Sequence, residues 1–530
     1  MSAPAGTTIE ERNDDNPQGD KQTDASTWRR QATGILLGLA LAALVYLIFP
    51  ESAVDRVHES VGADPEGDYS HHALRITAAT TILMAVWWMT EAIPLAATAL
   101  IPLAVFPITQ VASFSEVGSP YASATIFLFL GGFLLALGLQ KWDLHRRLAL
   151  AVLLVVGTSP KRLILGFMIA TGFLSMWVSN TATAVVMLPI GTSVLALTAE
   201  TVGGWRNQKK FSTALMLAIA YSASIGSLGT LIGTPPNALL AGYMESSHGI
   251  SIGFGQWMMV GVPIAVIFTV IAWWVLTTVF KPEMTEIPGG RELITEEKDK
   301  LGAWNFPQVA VAIIFVIAAL CWVIVPLAID WLGMDDFVYD DAIIGIIAGL
   351  LMFTIPANGR SGARLLDWKT ASELPWDVLI LFGGGLSLSA MFTSSGLSLW
   401  IGEVAKGLGG LPTLLLIVSV AALVLVLTEF TSNTATAATF LPIMGGVAVG
   451  IGLTDGGEQN VLLLTIPVAL AATCAFMMPV ATPPNAIAYS SGYVSMGDML
   501  KGGVWLNIIA LALITASVYF IAIPVFGIVL

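Results

Sequence analysis

The chain has 530 residues, of which 56% are hydrophobic and 11% charged, and its formal net charge is −13. Soluble proteins carry about 25% charged residues, and this chain instead repeats apolar runs of the ~18-residue length that crosses about 30 Å of hydrocarbon. That composition excludes a soluble enzyme, a disordered scaffold and a nucleic-acid binder, and it describes a polytopic membrane protein.

Residues 1–31 are rich in Asp, Glu, Asn, Thr and Gly without an apolar stripe, and read as a disordered cytoplasmic tail. The first apolar run, 32–50, is too late and too long for a secretory signal and reads as an uncleaved span. Further runs follow at 73–90, 94–111, 121–140, 162–198, 211–244, 256–280, 305–329, 342–356, 376–397, 411–452, 460–494 and 503–528. Two of them, 162–198 and 411–452, exceed one helix and carry a polar break, which predicts re-entrant hairpins. Two others, 211–244 and 460–494, contain Pro-Pro and predict interrupted spans. The expected fold class is an all-α polytopic membrane protein with about 11 transmembrane helices plus two re-entrant hairpins. Cys321 and Cys474 lie in apolar stretches and form neither a disulfide framework nor a CxxC metal site.

Basic residues test that topology, because cytoplasmic loops collect Lys and Arg. With the N-terminus inside, 20 of the 23 Lys and Arg fall on the cytoplasmic side, from Arg12 through Arg146 and Arg147 to Arg360 and Lys501. Arg56, Arg75 and Lys406 alone fall outside. The outer loop holding Asp330, Asp335, Asp336, Asp340 and Asp341 has no basic residue. The C-terminus is then outside, and a bacterial inner (cytoplasmic) membrane is the expected location.

The chain also says the same thing twice. Ser179-Asn180-Thr181-Ala-Thr-Ala leading to Leu188-Pro189-Ile190 is answered by Ser432-Asn433-Thr434-Ala-Thr-Ala leading to Leu441-Pro442-Ile443. Gly233-Thr234-Pro235-Pro236-Asn237 is answered by Ala481-Thr482-Pro483-Pro484-Asn485, and Gly131-Gly132 by Gly383-Gly384. The offsets are 253, 248 and 252 residues, so two halves align with little insertion. Under the topology above, one hairpin enters from inside and its copy from outside. That is an inverted repeat, the build of secondary transporters whose sites lie where broken helices meet. An isolated Pro more often just kinks a packed helix; duplicated motifs in one order reverse that preference.

These residue types suit anion and cation binding together. Ser, Asn and Thr cap helix N-termini, whose roughly half positive charge attracts carboxylates. Pro-Pro leaves carbonyls without helical partners, and such oxygens beside hydroxyls suit a small hard cation, as they suit calcium and magnesium. No Lys, Arg or His lies within either hairpin tip or either Pro-Pro break. An anion there must be balanced by co-bound cations and helix dipoles. Glu429, at membrane depth with Met176 as its counterpart, is a functional candidate by default, with hydrogen bonding to a neighbouring helix the somewhat favoured alternative. Glu91 reads as structural at a short cytoplasmic turn, and His145 sits on an interfacial helix without a proton role.

With Trp87-Trp88-Met-Thr-Glu91-Ala-Ile-Pro94-Leu95 added, these motifs resemble the divalent anion/sodium symporter family, from about Ile76 to the C-terminus. The resemblance implies a homodimer in which a scaffold holds the interface and a transport domain slides as an elevator. The scaffold would comprise 32–157 and 305–410, the transport parts 158–280 and 411–530, and 281–304 a cytoplasmic linker. It implies one sodium site at Ser175, Ser179, Asn180 and Gly233, and a second at Thr428, Ser432, Asn433 and Ala481, so at least two Na⁺ per protomer. Substrate carboxylates would meet Asn180, Thr181, Asn433, Thr434, Thr482 and Pro483. Ser227 follows Gly226 where relatives often carry a second glycine.

The leading expectation is therefore Na⁺-coupled import of a C4-dicarboxylate such as succinate, malate or fumarate, in a lipid bilayer, with no enzyme activity and no nucleic-acid partner. A sodium-independent exchanger, a Na⁺-coupled sulfate or citrate carrier and, last, an anion channel remain open. An intramembrane enzyme would need a motif such as HExxH or GxSxG, and neither occurs.

Overall fold

A helix that is apolar all round leaves itself no solvent face and has to be covered by other helices or by lipid. Both solutions occur in the computed structural model of the chain, which describes residues 17–61, 69–157, 159–202, 204–287, 289–334, 339–357 and 362–529. Among these residues the regular structure is helical, with a single isolated bridge between Pro356 and Arg364. The helices of eight residues or more begin with α1 (Pro17–Ile48), α2 (Ala53–Val61), α3 (His71–Thr90), α4 (Ile101–Ile108), α5 (Ala124–Lys141) and α6 (Leu144–Val156). The first set of duplicated motifs lies on α7 (Pro160–Ser175), α8 (Asn180–Val202), α9 (Lys209–Ser227) and α10 (Pro235–His248). Then come α11 (Phe254–Val279), α12 (Gly290–Lys300), α13 (Phe306–Leu332), α14 (Asp341–Thr354), α15 (Trp376–Ser394) and α16 (Leu397–Ala405). The second set lies on α17 (Thr413–Thr428), α18 (Asn433–Gly450), α19 (Leu462–Thr473) and α20 (Pro483–Ser490), before α21 (Met496–Ser517).

Among the described residues eight helices are long and apolar enough to cross a membrane, or nine if the pair on α16 and α17, bent by 118°, counts as one. The other expected crossings fall on broken or shorter pieces, such as Leu95–Ile108, Asp341–Thr354 and Glu458–Thr473. The second arm of the first hairpin, Asn180–Glu200, itself passes the length test. The tail differs as well: α1 starts at Pro17, inside the stretch read as disordered, and 1–16 lie outside the described residues. Arg12, Asp335, Asp336 and Arg360 of the topology argument also lie outside them.

The broken helices occupy the centre. Every residue from Phe211 to Ser227 of α9, and every residue of α19, is buried. Around them α7 packs on α9 and α17 on α19, while α10, from the first set, packs on α18 and α19 of the second. At several approaches only glycine fits, two of them between helices of the duplicated sets or their neighbours. A Cβ at Gly226 would strike the Gly172 carbonyl, locking α9 to α7, and one at Gly450 would strike Gly402, locking α18 to α16. Helices with little water to drive them together associate by such small-residue contacts.

The polar ends are tied by side chains that a hydropathy reading does not see. Arg146 pairs with Glu297 of α12 at 2.6 Å, and buried Arg147 donates to the Leu301 and Gly302 carbonyls at 2.9 Å. Short, polar α2 and α12 escaped the search for apolar runs for the same reason: neither contains one.

Candidate functional site

The two hairpin tips are the short segments 176–179 and 429–432, so α8 starts at Asn180 and α18 at Asn433, as the capping chemistry of Ser-Asn-Thr predicts. Ser179 Oγ accepts from the Ala182 N–H at 3.3 Å; Ser432 occupies the N-cap without a side-chain bond. The two breaks, 228–234 and 474–482, end where Thr234 and Thr482 cap α10 and α20, each of which opens with Pro-Pro. Pro at the first helical positions loses no bond, because those N–H groups have no helical acceptor.

All four of these helix starts border one cavity of ≈650 Å³. The first copy contributes Ser179, Asn180, Thr181 and Gly233, and the second contributes Ser432, Asn433, Thr434, Ala481, Thr482 and Pro483. Phe129 and Phe133 of α5, Asp377 and Val378 of α15, and Glu91 at the end of α3 also border it. Four N-termini, each worth roughly half a positive charge, bring about two positive charges to this space without a basic side chain.

Ser175 and Thr428 do not reach the cavity; they lie fully buried behind the tips and form matching trios. Ser175 Oγ is 2.6 Å from the Ala223 carbonyl and 2.8 Å from Asn180 Oδ1. Thr428 Oγ1 is 2.7 Å from the Ala472 carbonyl and 2.8 Å from Asn433 Oδ1. A hydroxyl has one proton to donate, so in each trio the other contact sets oxygen against oxygen. A cation among these oxygens, or a turned Asn amide, makes that arrangement favourable.

Two residues of the quoted motifs have an undetected structural task. Asn237 Nδ2 donates to the carbonyls of Ser227, Leu228 and Thr230 at 3.3, 3.3 and 2.9 Å. Asn485 Nδ2 donates to those of Ala475 and Met478 at 3.0 and 3.1 Å. Each thereby bonds carbonyls that its break has freed from the helix, of which Leu228 and Met478 also accept from Trp257 Nε1 at 3.1 Å and the Ala481 N–H at 3.3 Å. A carbonyl left unpaired in an apolar interior costs about 1–3 kcal/mol. The duplicated Asn after Pro-Pro was the available signal. Ser227, the departure noted above, turns its hydroxyl back onto the Ser224 carbonyl at 2.8 Å. The Thr234 and Thr473 hydroxyls, one from each copy, stand 3.5 Å apart, so the two broken helices meet.

Glu429 is fully buried and does structural work. Its Oε1 accepts from the Phe476 N–H at 2.8 Å, the Met477 N–H at 3.0 Å and Asn507 Nδ2 at 2.7 Å. Its Oε2 accepts from the Met477 and Met478 N–H groups, both at 3.0 Å. The carboxylate thus closes the second break, while in the first copy Thr230 donates to the carbonyl of Met176, the counterpart of Glu429. Glu91 sits at the turn that ends α3, where it is the C-cap and pairs weakly with Arg30 at 3.4 Å, and it also borders the cavity. His145 is buried with Nδ1 on the Leu139 carbonyl at 3.0 Å, and burial pushes its pKa below the ordinary 6.5.

Duplicated broken helices that turn their N-termini onto one polar cavity are the build of a membrane transporter. Sequence comparison gives the class a family: the chain belongs to the one described by the sodium:sulfate symporter transmembrane region, which matches residues 64–527. A Staphylococcus saprophyticus protein named sodium-dependent dicarboxylate transporter SdcS is 40% identical over 505 residues, 94% of this chain and 92% of that one. The protein of the same name from Staphylococcus aureus strain MRSA252 is 43% identical over 502 residues, 94% and 93% of the two chains. Among solved structures, the Alcanivorax borkumensis YdaH transporter aligns with TM-score 0.50 at 16% identity, covering 84% of this chain and 98% of that one. At that identity the likeness speaks for the fold alone.

Proposed function

We propose that the chain is a Na⁺-coupled carrier that imports C4-dicarboxylates such as succinate, malate and fumarate. The observation that carries this reading is the single cavity on which both Ser-Asn-Thr tips and both Thr-Pro-Pro-Asn breaks converge. Each substrate carboxylate meets one Asn-Thr pair, Asn180 with Thr181 or Asn433 with Thr434, and Thr482 and Pro483 complete the second contact. One Na⁺ is held by Ser175, Ser179, Asn180 and the Gly233 carbonyl, the other by Thr428, Ser432, Asn433 and the Ala481 carbonyl. The matching trios behind the tips support that assignment, because each brings hydroxyl, amide and carbonyl oxygens to one point. The names of the Staphylococcus relatives support the coupling ion and the substrate class.

In this reading the chain crosses a bacterial inner membrane eleven times with two re-entrant hairpins, N-terminus inside and C-terminus outside. The wall of Phe129, Phe133, Val378 and Glu91 belongs to a stationary scaffold that pairs two protomers. The hairpins and broken helices form the moving part, and Glu91, at the inner end of α3, supports a cavity mouth on the cytoplasmic side. The test is radiolabelled succinate uptake into proteoliposomes under an inward Na⁺ gradient, with K⁺ replacing Na⁺ as the control. Sodium-dependent uptake is expected. Equal uptake in K⁺ that needs internal dicarboxylate would make the protein an exchanger and withdraw both cation sites. Sulfate, named in the family's description, is the anion to try if succinate is not moved.

A further inference from the structure

The two hairpin tips are alike in sequence but not in surroundings. Trp177 lies in the first tip, and Phe430 lies in the second at the same offset of 253 residues that relates the Ser-Asn-Thr motifs. Trp177 is 9% exposed and Phe430 is 65% exposed. The Trp177 ring meets Phe315 of α13 edge-on, with 4.8 Å between centroids, and stacks on Phe254 of α11 at 6.0 Å. Phe254 in turn stacks on Trp322 of α13 at 4.4 Å, and its N–H donates to the Asp341 carboxylate of α14 at 2.6 Å. Trp177 and Phe254 lie in the part assigned to movement, 158–280, and Phe315, Trp322 and Asp341 in the part assigned to the scaffold, 305–410. These contacts therefore cross the seam between the two. The neighbouring tryptophans differ from Trp177 in one respect. Trp257 Nε1 donates to the Leu228 carbonyl at 3.1 Å inside the first part, and Trp322 Nε1 to the Asp341 carbonyl at 3.0 Å inside the second. Trp177 Nε1 is buried with no acceptor among the described residues. A buried indole ordinarily finds a partner, and one left without pays a desolvation cost that release into water recovers. The ring that crosses the seam is thus held by packing alone and leaves without breaking a hydrogen bond of its own. Phe430 borders a second cavity, of ≈720 Å³, together with Leu37 of α1 and Met89 of α3.

We propose that Trp177 and Phe430 are alternating anchors of the two tips. Trp177 holds the moving part against α13 in the conformation seen here, and Phe430 takes the corresponding hold on the α1–α3 side when the cavity opens the other way. This rests on the reading of the chain as a carrier whose hairpins move against a scaffold. In an inverted repeat the two halves exchange surroundings as access alternates, so the cover that Trp177 has now falls to Phe430 then. The balance between two conformations is set by the difference between the two dockings, not by their sum. A large ring on each tip keeps that difference small, and neither conformation becomes a trap. Neither ring borders the substrate cavity, so both are positioning residues for the crossing step rather than contacts of the substrate.

The test is sided labelling of a cysteine introduced at Ala486, an exposed residue of α20 that borders the substrate cavity. The full chain is labelled with a membrane-impermeant maleimide in right-side-out and inside-out vesicles, and the chain without A486C corrects for Cys321 and Cys474. Removing the Trp177 ring loosens the present conformation, so W177A should speed labelling of A486C from the outer face on the order of tenfold, and F430A should slow it by a similar factor. W177F keeps a ring in the stack and should shift the rate less than W177A. The W177A/F430A double variant should label near the rate of the A486C parent. A damaged fold would not move two variants in opposite directions and restore the rate in their combination. Unchanged outer-face labelling in both W177A and F430A, or a shift of both in the same direction, overturns the alternation. So does an A486C that no variant exposes to the outer face, because loosening Trp177 then opens no second conformation. Sodium-dependent succinate uptake is measured alongside; its absence in the wild type refutes the carrier reading itself, a result separate from these.

Discussion

Replacing Glu429 with Gln tests whether the second break depends on a carboxylate or merely on a polar side chain of that size. The native carboxylate accepts three backbone N–H groups and one amide through its two oxygens. Gln offers one oxygen and one NH₂. With the oxygen kept on the Phe476 side, the Met477 and Met478 contacts at Oε2 are replaced by a donor facing donors. Met477 keeps its bond to the retained oxygen, while Met478 loses its acceptor and the retained bonds pass from a charged to a neutral acceptor. At about 1.5–3 kcal/mol for a charged bond against about 0.5–1.5 for a neutral one, the change costs about 3 kcal/mol. That is a large part of a folding margin of about 5–15 kcal/mol. Glu429→Gln should therefore lower the melting temperature of the detergent-purified protein markedly and reduce the fraction that stays monodisperse after heating. Asn507→Ala, which removes a single partner, should cost about 1–3 kcal/mol and fall between. A Glu429→Gln protein that melts with the wild type would refute the bracing argument and return Glu429 to the functional candidates.

Three more outcomes follow from the geometry. Asn180→Ala and Asn433→Ala should each weaken sodium activation and succinate uptake together; lost substrate affinity with an unchanged sodium dependence would break the shared-site assignment. Asn485→Ala removes a donor from the Ala475 and Met478 carbonyls, of which Met478 keeps the Ala481 N–H, and should lower the melting temperature by an amount worth about 1–3 kcal/mol, with Asn237→Ala at least as severe because both the Ser227 and Thr230 carbonyls lose its amide. His145 is held below its ordinary pKa of 6.5, so the unfolded chain binds the proton more readily than the folded one. Its contribution is complete above pH 6.5 and is lost as pH falls toward the depressed value. His145→Gln should remove that part of the acid-induced fall in melting temperature, and an unaltered profile would count against it.

The hairpin tips, the breaks and their convergence were legible because each was written twice at a nearly constant offset, and duplication separates a site from an incidental kink. Ten of the twelve expected residues border one cavity, and Ser175 and Thr428 stand directly behind it. What remained hidden depends on long-range partners. The bond from Asn507 to Glu429 joins α21 to the end of α17 across 78 residues, and no periodicity encodes it. Asn237 and Asn485 were visible as letters, but their task appears only when the freed carbonyls fold back over them. Glu91 read as a turn residue because its neighbours are Thr90 and Ala92; that α3 ends beside the second tip is a fact of packing. Helix pieces were the other hidden feature: a hydropathy run continues wherever apolar residues do, whereas the chain breaks several of those runs into shorter helices to free its backbone for the site.

The central claim is that anion and cations share one cavity and balance one another there. It is tested most directly by the affinity of the purified wild-type protein for succinate, titrated calorimetrically at increasing Na⁺ with K⁺ keeping the ionic strength constant. If two cations bind with the anion, the apparent Kd should fall about fourfold for each doubling of Na⁺ while the cation sites are unsaturated, and binding should vanish in K⁺ alone. A Kd that is the same in Na⁺ and K⁺ at every concentration would contradict the account.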